Sequence, residues 1–269
     1  MRIARFLDPA GHERLGEPTA DHRARLLEGD LFGQLRPGED EAVMDRLLPP
    51  VQPPNIFGIG LNYRDHAEEG GRPVPDQPLV FLKATTSLLA PGEAIRLPDP
   101  APEEVDFEAE LAIVIGRQAR QVPEHQALDH VLGYTCANDV TARDCQKRLD
   151  AQWTRAKGFD TFCPLGPWLV TADDFDPRDA TVEAVLNGER MQHGHTSQLV
   201  FSCPALVSYL SHQFTLLPGT VICTGTPAGV GFARRPPVFL RPGDRIVVRI
   251  GGIGELANPV TRHGGVAPR

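Results

Sequence analysis

A chain of 269 residues is long enough for one large domain, or two unequal ones, with a core of its own. Its 27 Lys and Arg stand against 35 Asp and Glu, a formal charge of −8. No stretch gathers the cations into a stripe, which argues against nucleic acid and acidic membrane surfaces as partners.

In chain order, residues 1–9 lack the apolar core of a signal peptide and no later run is long enough to span a bilayer, so the expectation is a soluble cytoplasmic protein. Residues 1–52 read as a small, irregular N-terminal segment with a strand over 1–7 and a helix over 40–48 stopped by Pro49-Pro50. Pro53-Pro54 marks a boundary, after which 53–269 reads as the main domain. There, short apolar or alternating runs at 56–60, 79–82, 107–115, 131–137, 168–171, 181–186, 221–224 and 245–250 predict strands. Asn187-Gly188 predicts a hairpin turn. Helices are few, at 123–130, 141–149 and 204–212. With 26 Pro, near twice the usual share of about 5%, long helices are disfavoured. The fold class is therefore mixed α/β and strand-rich, without the regular alternation of a doubly wound sheet.

Cys136, Cys145, Cys163, Cys203 and Cys223 are odd in number and form no C-x-x-C pair, against a disulfide framework or a zinc knuckle. They read as small buried apolar residues. Cys145 has no visible base around it and is set aside as a nucleophile.

The run Asp106-Phe107-Glu108-Ala109-Glu110-Leu111 carries the chemistry. The odd positions from Phe107 to Ile115 are apolar, so a period-two strand buries them and turns Asp106, Glu108 and Glu110 to the other face. Alternate residues on one face lie about 6 to 7 Å apart, where carboxylates repel unless solvent or a cation intervenes. Alone, such a face is a solvated sheet edge. Asp139 supplies a third acid at the end of the 131–137 strand, where on its own it would read as a helix cap. Three oxygen donors and no histidine ligand favour Mg²⁺ or Mn²⁺ over zinc.

Three further groups surround this set. His66 and Glu69 stand three positions apart, so that on one helical turn Glu69 orients the imidazole as a water-activating pair. Lys157 lies among aromatic residues and is placed to stabilise an enolate or oxyanion, the alternative being an ordinary snorkelling lysine. The glycines of Thr224-Gly225-Thr226-Pro227-Ala228-Gly229-Val230-Gly231 let backbone amides approach an anion, with the Thr226 hydroxyl as a further donor. This loop is not a P-loop, and Gly58-x-Gly60 is not a dinucleotide fingerprint.

Together with Phe81-Leu82-Lys83, Asn138-Asp139-Val140-Thr141-Ala142-Arg143-Asp144, Lys157-Gly158-Phe159-Asp160 and Pro242-Gly243-Asp244, these segments resemble, in order over about residues 55–260, the fumarylacetoacetate hydrolase superfamily in its shorter bacterial form. The resemblance implies a rolled mixed β-sheet and a homodimer. It makes Glu108, Glu110 and Asp139 the metal ligands, Lys157 the active-site lysine, and His66 with Glu69 the dyad under a lid. Lys83, Arg143, Gln146 and Thr226 would contact or support a bound 2-oxo acid. The expected reaction is hydrolytic carbon–carbon cleavage of a 2,4-dioxo acid, an acylpyruvate or a diketo sugar acid, releasing pyruvate or a related 2-oxo acid. Oxaloacetate-type decarboxylation and dienoate isomerisation or hydration are alternatives at the same metal site. Binding of metal and organic acid without turnover is the reading from another class.

Overall fold

The computed structural model describes residues 1–262, so the expected end of the main domain, 263–269, lies outside the described residues. Its backbone is a twelve-stranded mixed sheet running from the edge strand Leu35–Val43 through Arg23–Gly29, Glu13–Pro18, Arg2–Leu7, Cys163–Thr171, Val131–Asn138, Ala109–Ile115, Val221–Cys223 and Ile56–Gly60 to Leu79–Lys83. A five-stranded sheet, from Glu189–His195 through Thr181–Leu186, Arg245–Ile250 and Gly254–Arg262 to Ile95–Leu97, packs against it. Most pairings are antiparallel, but Val221–Cys223 runs parallel to Ile56–Gly60 and Gly254–Arg262 parallel to Ile95–Leu97. The strand-rich mixed α/β expectation holds, and the Asn187-Gly188 turn closes the hairpin of Thr181–Leu186 and Glu189–His195. Among the described residues, no helix is long and apolar enough to cross a membrane.

Ala109–Ile115 is the central strand. Leu111, Ile113 and Ile115 join the main core while Ala112 and Val114 join a second cluster with Ile56, Ala137 and Leu165. Both faces are thus covered, and the strand is not a solvated sheet edge, the reading that its acidic face taken alone would have had. Each large side chain so buried contributes about 1.5–3 kcal/mol, enough to hold Glu108 and Glu110 in the interior although burial disfavours their charge.

Three local readings change. Residues 40–48 are not a helix, because Leu35–Val43 pairs along Arg23–Gly29 and Arg46–Leu48 pairs with Arg2–Leu7. Cross-strand ion pairs such as Arg23 Nε to Glu41 Oε2 at 3.0 Å help set that ladder, so tertiary pairing overrides the helix preference of Glu, Ala and Leu. For the same reason residues 1–50 are regular rather than irregular, and Arg2–Leu7 joins the large sheet through Arg2 opposite Val170. Residues 141–149 divide into Thr141–Ala142, which pairs with Val105–Asp106, and a single π-turn, Cys145–Leu149. Cys203–Gln213 is a helix with Ser202 as its cap, as expected, and 123–130 forms a 3-10 turn over Glu124–His130. All five cysteines are free and buried.

Asn62 ties the glycine-rich loop to the rest. Its amide donates to Thr224 O at 2.7 Å and Phe201 O at 3.1 Å, and its Oδ1 accepts from Phe201 N at 2.8 Å. Asn62→Ala leaves these buried groups unpaired, and chemical denaturation is expected to register a loss of about 2–4 kcal/mol. An unchanged unfolding free energy would remove this brace from the account.

Candidate active site

Glu108 precedes the central strand, Glu110 is its second residue, and Asp139 follows the neighbouring strand Val131–Asn138. The ladder pairing of Ala109 with Asn138, with Asp139 N donating to Glu108 O at 2.9 Å, brings acids about thirty positions apart into one place. One carboxylate oxygen from each of the three lies within 4.8 Å of the others, and all three residues are buried.

Two lysines enter this cluster. Lys157 Nζ donates to Glu108 Oε2 at 2.7 Å and to Asp139 Oδ2 at 2.5 Å, and Lys83 Nζ pairs with Asp139 Oδ1. Arg143 spans Asp106 Oδ1 at 2.6 Å, Glu108 Oε1 at 2.7 Å and Gln146 Oε1 at 2.8 Å. Asp106 therefore serves Arg143 and the Phe232 amide rather than the acid cluster. Burial pushes the Glu108 carboxyl upward, but Lys157 and Arg143 outweigh it and hold the group well below the carboxylate range. Glu110 forms no ion pair among the described residues. Burial, then Asp139 and Glu108, raise it well above the usual range, although Gly225 N donates to its Oε2 at 2.7 Å. Four carboxylates face three cations, and the uncompensated charge falls on Glu110. An oxygen-only donor set with surplus negative charge fits a hard divalent cation.

A cavity of about 200 Å³ opens onto this cluster. His66, Glu108, Arg143, Gln146, Lys157 and Thr226 border it. Glu110, Asp139 and Lys83 are buried and do not line its wall, and Lys83 pairs with Asp139 behind it. Phe81 and Trp153 pack edge to face at 5.7 Å on one side, and Phe232 closes another.

His66 sits on the short helix Arg64–Glu69 with its Nδ1 buried and unpartnered. Burial, with Arg143 and Lys157 adding to it, lowers its pKa to about 4, so the imidazole is neutral near pH 7 and able to accept a proton. The expected hydrogen bond to Glu69 is not made. Glu69 instead accepts from Gly229 N at 2.6 Å. Gly229 can offer that amide because its φ is +101° and a Cβ there would sit 2.3 Å from Met191 O. The loop's amides at Gly225 and Gly229 thus serve the protein's own carboxylates, and the Thr226 hydroxyl donates to Ala109 O while accepting from Gln192. Burial and Asp144 raise the Cys145 thiol, which disfavours a nucleophilic thiolate.

The sequence reading did not single out Gln192, which is fully buried and braces Ala109 N, Thr226 and Pro227 O from the second sheet. A lone Gln in a strand carries no signal of that kind. Nor did it single out Phe232, Trp153, Arg72 or Lys147, all of which border the cavity.

A mixed-sheet domain in which two neighbouring strands and their ends bring together a buried three-carboxylate centre, crossed by a lysine and opening to a small cavity, defines an acid-cluster enzyme fold. Residues 55–261 match the family model described as "Fumarylacetoacetate (FAA) hydrolase C-terminal", and the chain belongs to the fumarylacetoacetate hydrolase superfamily. It is 46% identical over 273 residues to Protein Rv2993c of Mycobacterium tuberculosis, covering 98% of this chain and 99% of that one. It is 47% identical to the mitochondrial oxaloacetate tautomerase fahd2 of Xenopus laevis, over 80% of this chain and 67% of that one. The solved structure of a 2-hydroxyhepta-2,4-diene-1,7-dioate isomerase from Mycobacterium marinum superposes with a TM-score of 0.85 at 42% identity, covering 98% of this chain and 100% of that one.

Proposed function

We propose that this chain is a Mg²⁺- or Mn²⁺-dependent enzyme that interconverts the keto and enol forms of a 2-oxo acid of the oxaloacetate type. The observation that carries this reading is His66, its Nδ1 buried and without a hydrogen-bond partner, on the wall of the same cavity as Lys157 while Glu69 is engaged elsewhere. Groups for moving one proton are assembled, and a water-activating dyad is not. The activities for which the Xenopus and M. marinum relatives are named, a tautomerase and an isomerase, support the same class of reaction.

A divalent cation held by Glu108, Glu110 and Asp139 would polarise the substrate's C2 carbonyl as a Lewis acid. His66 accepts the proton from C3, and the electron pair of that C–H bond becomes the C2–C3 double bond of the enolate. Lys157, its ammonium in a water-poor wall, stabilises the negative charge that builds on the C2 oxygen. The C2=O π pair moves to the oxygen as that double bond forms, and return of the proton to the oxygen completes the enol with no carbon–carbon bond broken. Phe81 and Trp153 keep bulk water from the intermediate.

Hydrolysis of a 2,4-dioxo acid is the second reading, and one observation favours it: His66 and Glu69 share a six-residue helix at the cavity, with Glu69 held by a single loop amide. In that reaction water adds to the C4 carbonyl, the C3–C4 bond breaks, and C3 regains a proton. The two readings separate on Glu69. With Mg²⁺ present, His66→Ala is expected to slow oxaloacetate enolisation by about 10²–10⁴-fold, followed by the ultraviolet absorbance of the enol. Glu69→Gln should leave that rate within a few fold. Pyruvate release from acylpyruvates that depends on Glu69, with no enolisation of oxaloacetate, would transfer the assignment to the hydrolase. We also infer a homodimer in the cytoplasm, with residues 1–52 a small N-terminal segment on a catalytic domain of 53–269.

A further inference from the structure

Four cationic side chains border the cavity, and they differ in what holds them. Lys157 is committed to Glu108 and Asp139, and Arg143 to Asp106, Glu108 and Gln146. Lys147 and Arg72, at the exposed rim, form no ion pair with a carboxylate among the described residues. Lys147 instead rests its ammonium 3.6 Å from the centroid of the Phe232 ring, which Arg143 also stacks against at 4.3 Å. Burial, above all, lowers the proton affinity of Lys147, and Arg143 and Arg72 add to it against the opposing pull of Asp106 and Glu108.

The backbone makes this arrangement. Gln146 and Lys147 both border the cavity because they lie in the π-turn Cys145–Leu149, which is wider than an α-helical turn and often occurs at functional sites. Arg72 reaches the same rim from just beyond the His66 helix. The cavity is therefore polarised. Its floor holds surplus negative charge suited to a cation, while its mouth holds two positive charges without an anion.

We propose that Lys147 and Arg72 form a subsite for a second carboxylate, so that the enzyme selects 2-oxo dicarboxylates over 2-oxo monocarboxylates. This inference rests on the reading of the floor as a metal and 2-oxo acid site. An anion seated between Lys147 and Arg72 relieves their mutual repulsion and gains charge-assisted hydrogen bonds. The Phe232 ring fixes the ammonium beforehand, so little side-chain freedom is lost on binding. A volume of about 200 Å³ suits a short diacid, being below the ~300–1,000 Å³ of drug-sized sites.

The test compares two ligands of equal chain length, 2-oxoglutarate and 2-oxopentanoate, by calorimetric titration into the Mn²⁺-loaded full chain. The wild type is expected to bind 2-oxoglutarate at least tenfold more tightly. In Lys147→Met, Arg72→Gln and their combination, that preference should fall stepwise to less than twofold. Affinity for 2-oxopentanoate should stay within twofold, because it lacks the group these residues read. A general loss of positive potential would weaken both ligands alike, and that result would overturn the proposal. Equal wild-type affinities, or a preference that survives in the double variant, would overturn it too. If the wild type binds neither ligand with Mn²⁺ present, the 2-oxo acid reading of the floor fails and takes the subsite with it. Thermal unfolding of each variant, expected within about 1 °C of wild type for exposed positions, separates lost recognition from lost fold.

Discussion

Glu110→Gln is expected to make the metal-free protein more stable while removing most of its metal affinity. The three carboxylates lie within 4.8 Å of one another, and the two lysines that enter the cluster pair with Glu108 and Asp139 but not with Glu110. A neutral amide of the same shape keeps an acceptor for Gly225 N, which donates to Glu110 Oε2 at 2.7 Å, and turns its NH₂ toward the remaining acids. Repulsion and the cost of burying a carboxylate are both reduced, so a gain on the order of 1 kcal/mol, about 2–4 °C in midpoint, is expected in EDTA. Titration with Mg²⁺ or Mn²⁺ should show affinity reduced more than about 100-fold, beyond the 10–100-fold that loss of an outer-shell partner costs. Turnover should fall by about 10³-fold. A variant less stable than wild type in EDTA, with unchanged metal affinity, would mean that Glu110 is structural and that the cluster is not the metal site.

That opposition between stability and function explains which parts of the molecule could be read from the sequence. Apolar alternation placed the strand that carries Glu110, because burial of Leu111, Ile113 and Ile115 is local information. It did not reveal that Ala112 and Val114 are covered as well, since the chain that covers them lies far away in sequence. The convergence of Asp139 on Glu108 depends on a ladder between two strands, which no spacing rule encodes, so residue types suggested a shared cation and the family resemblance strengthened that grouping. Spacing suggested that Glu69 meets His66, but Glu69 is the last residue of a six-residue helix and swings to an amide 160 positions away. Residues 40–48 misled in the same manner: helix-forming side chains were recruited into a strand by Arg23, Arg25 and their neighbours across the ladder. Lys83 follows the pattern too, its ammonium lying behind Asp139 where only a three-dimensional arrangement could put it.

Lys157→Met should move stability in the other direction and test whether the lysine acts in the reaction or only in the fold. Its side chain is 2% exposed, and its ammonium bridges Glu108 and Asp139 at 2.7 and 2.5 Å. Breaking a buried pair by removing one partner costs about 3–5 kcal/mol. Arg143 still pairs with Glu108 and Lys83 with Asp139, which favours the lower end of that range. A divalent cation restores positive charge to the same carboxylates. The rise in unfolding midpoint on adding Mg²⁺ should therefore be larger in Lys157→Met than in wild type, while enolisation of oxaloacetate remains slower by about 10³-fold at saturating metal. Recovery of turnover together with stability would make Lys157 a structural counter-ion, because charge at the carboxylates would then be all the reaction requires of it. Recovery of stability alone assigns the ammonium to the substrate, since it then supplies something that charge on the acid cluster cannot replace.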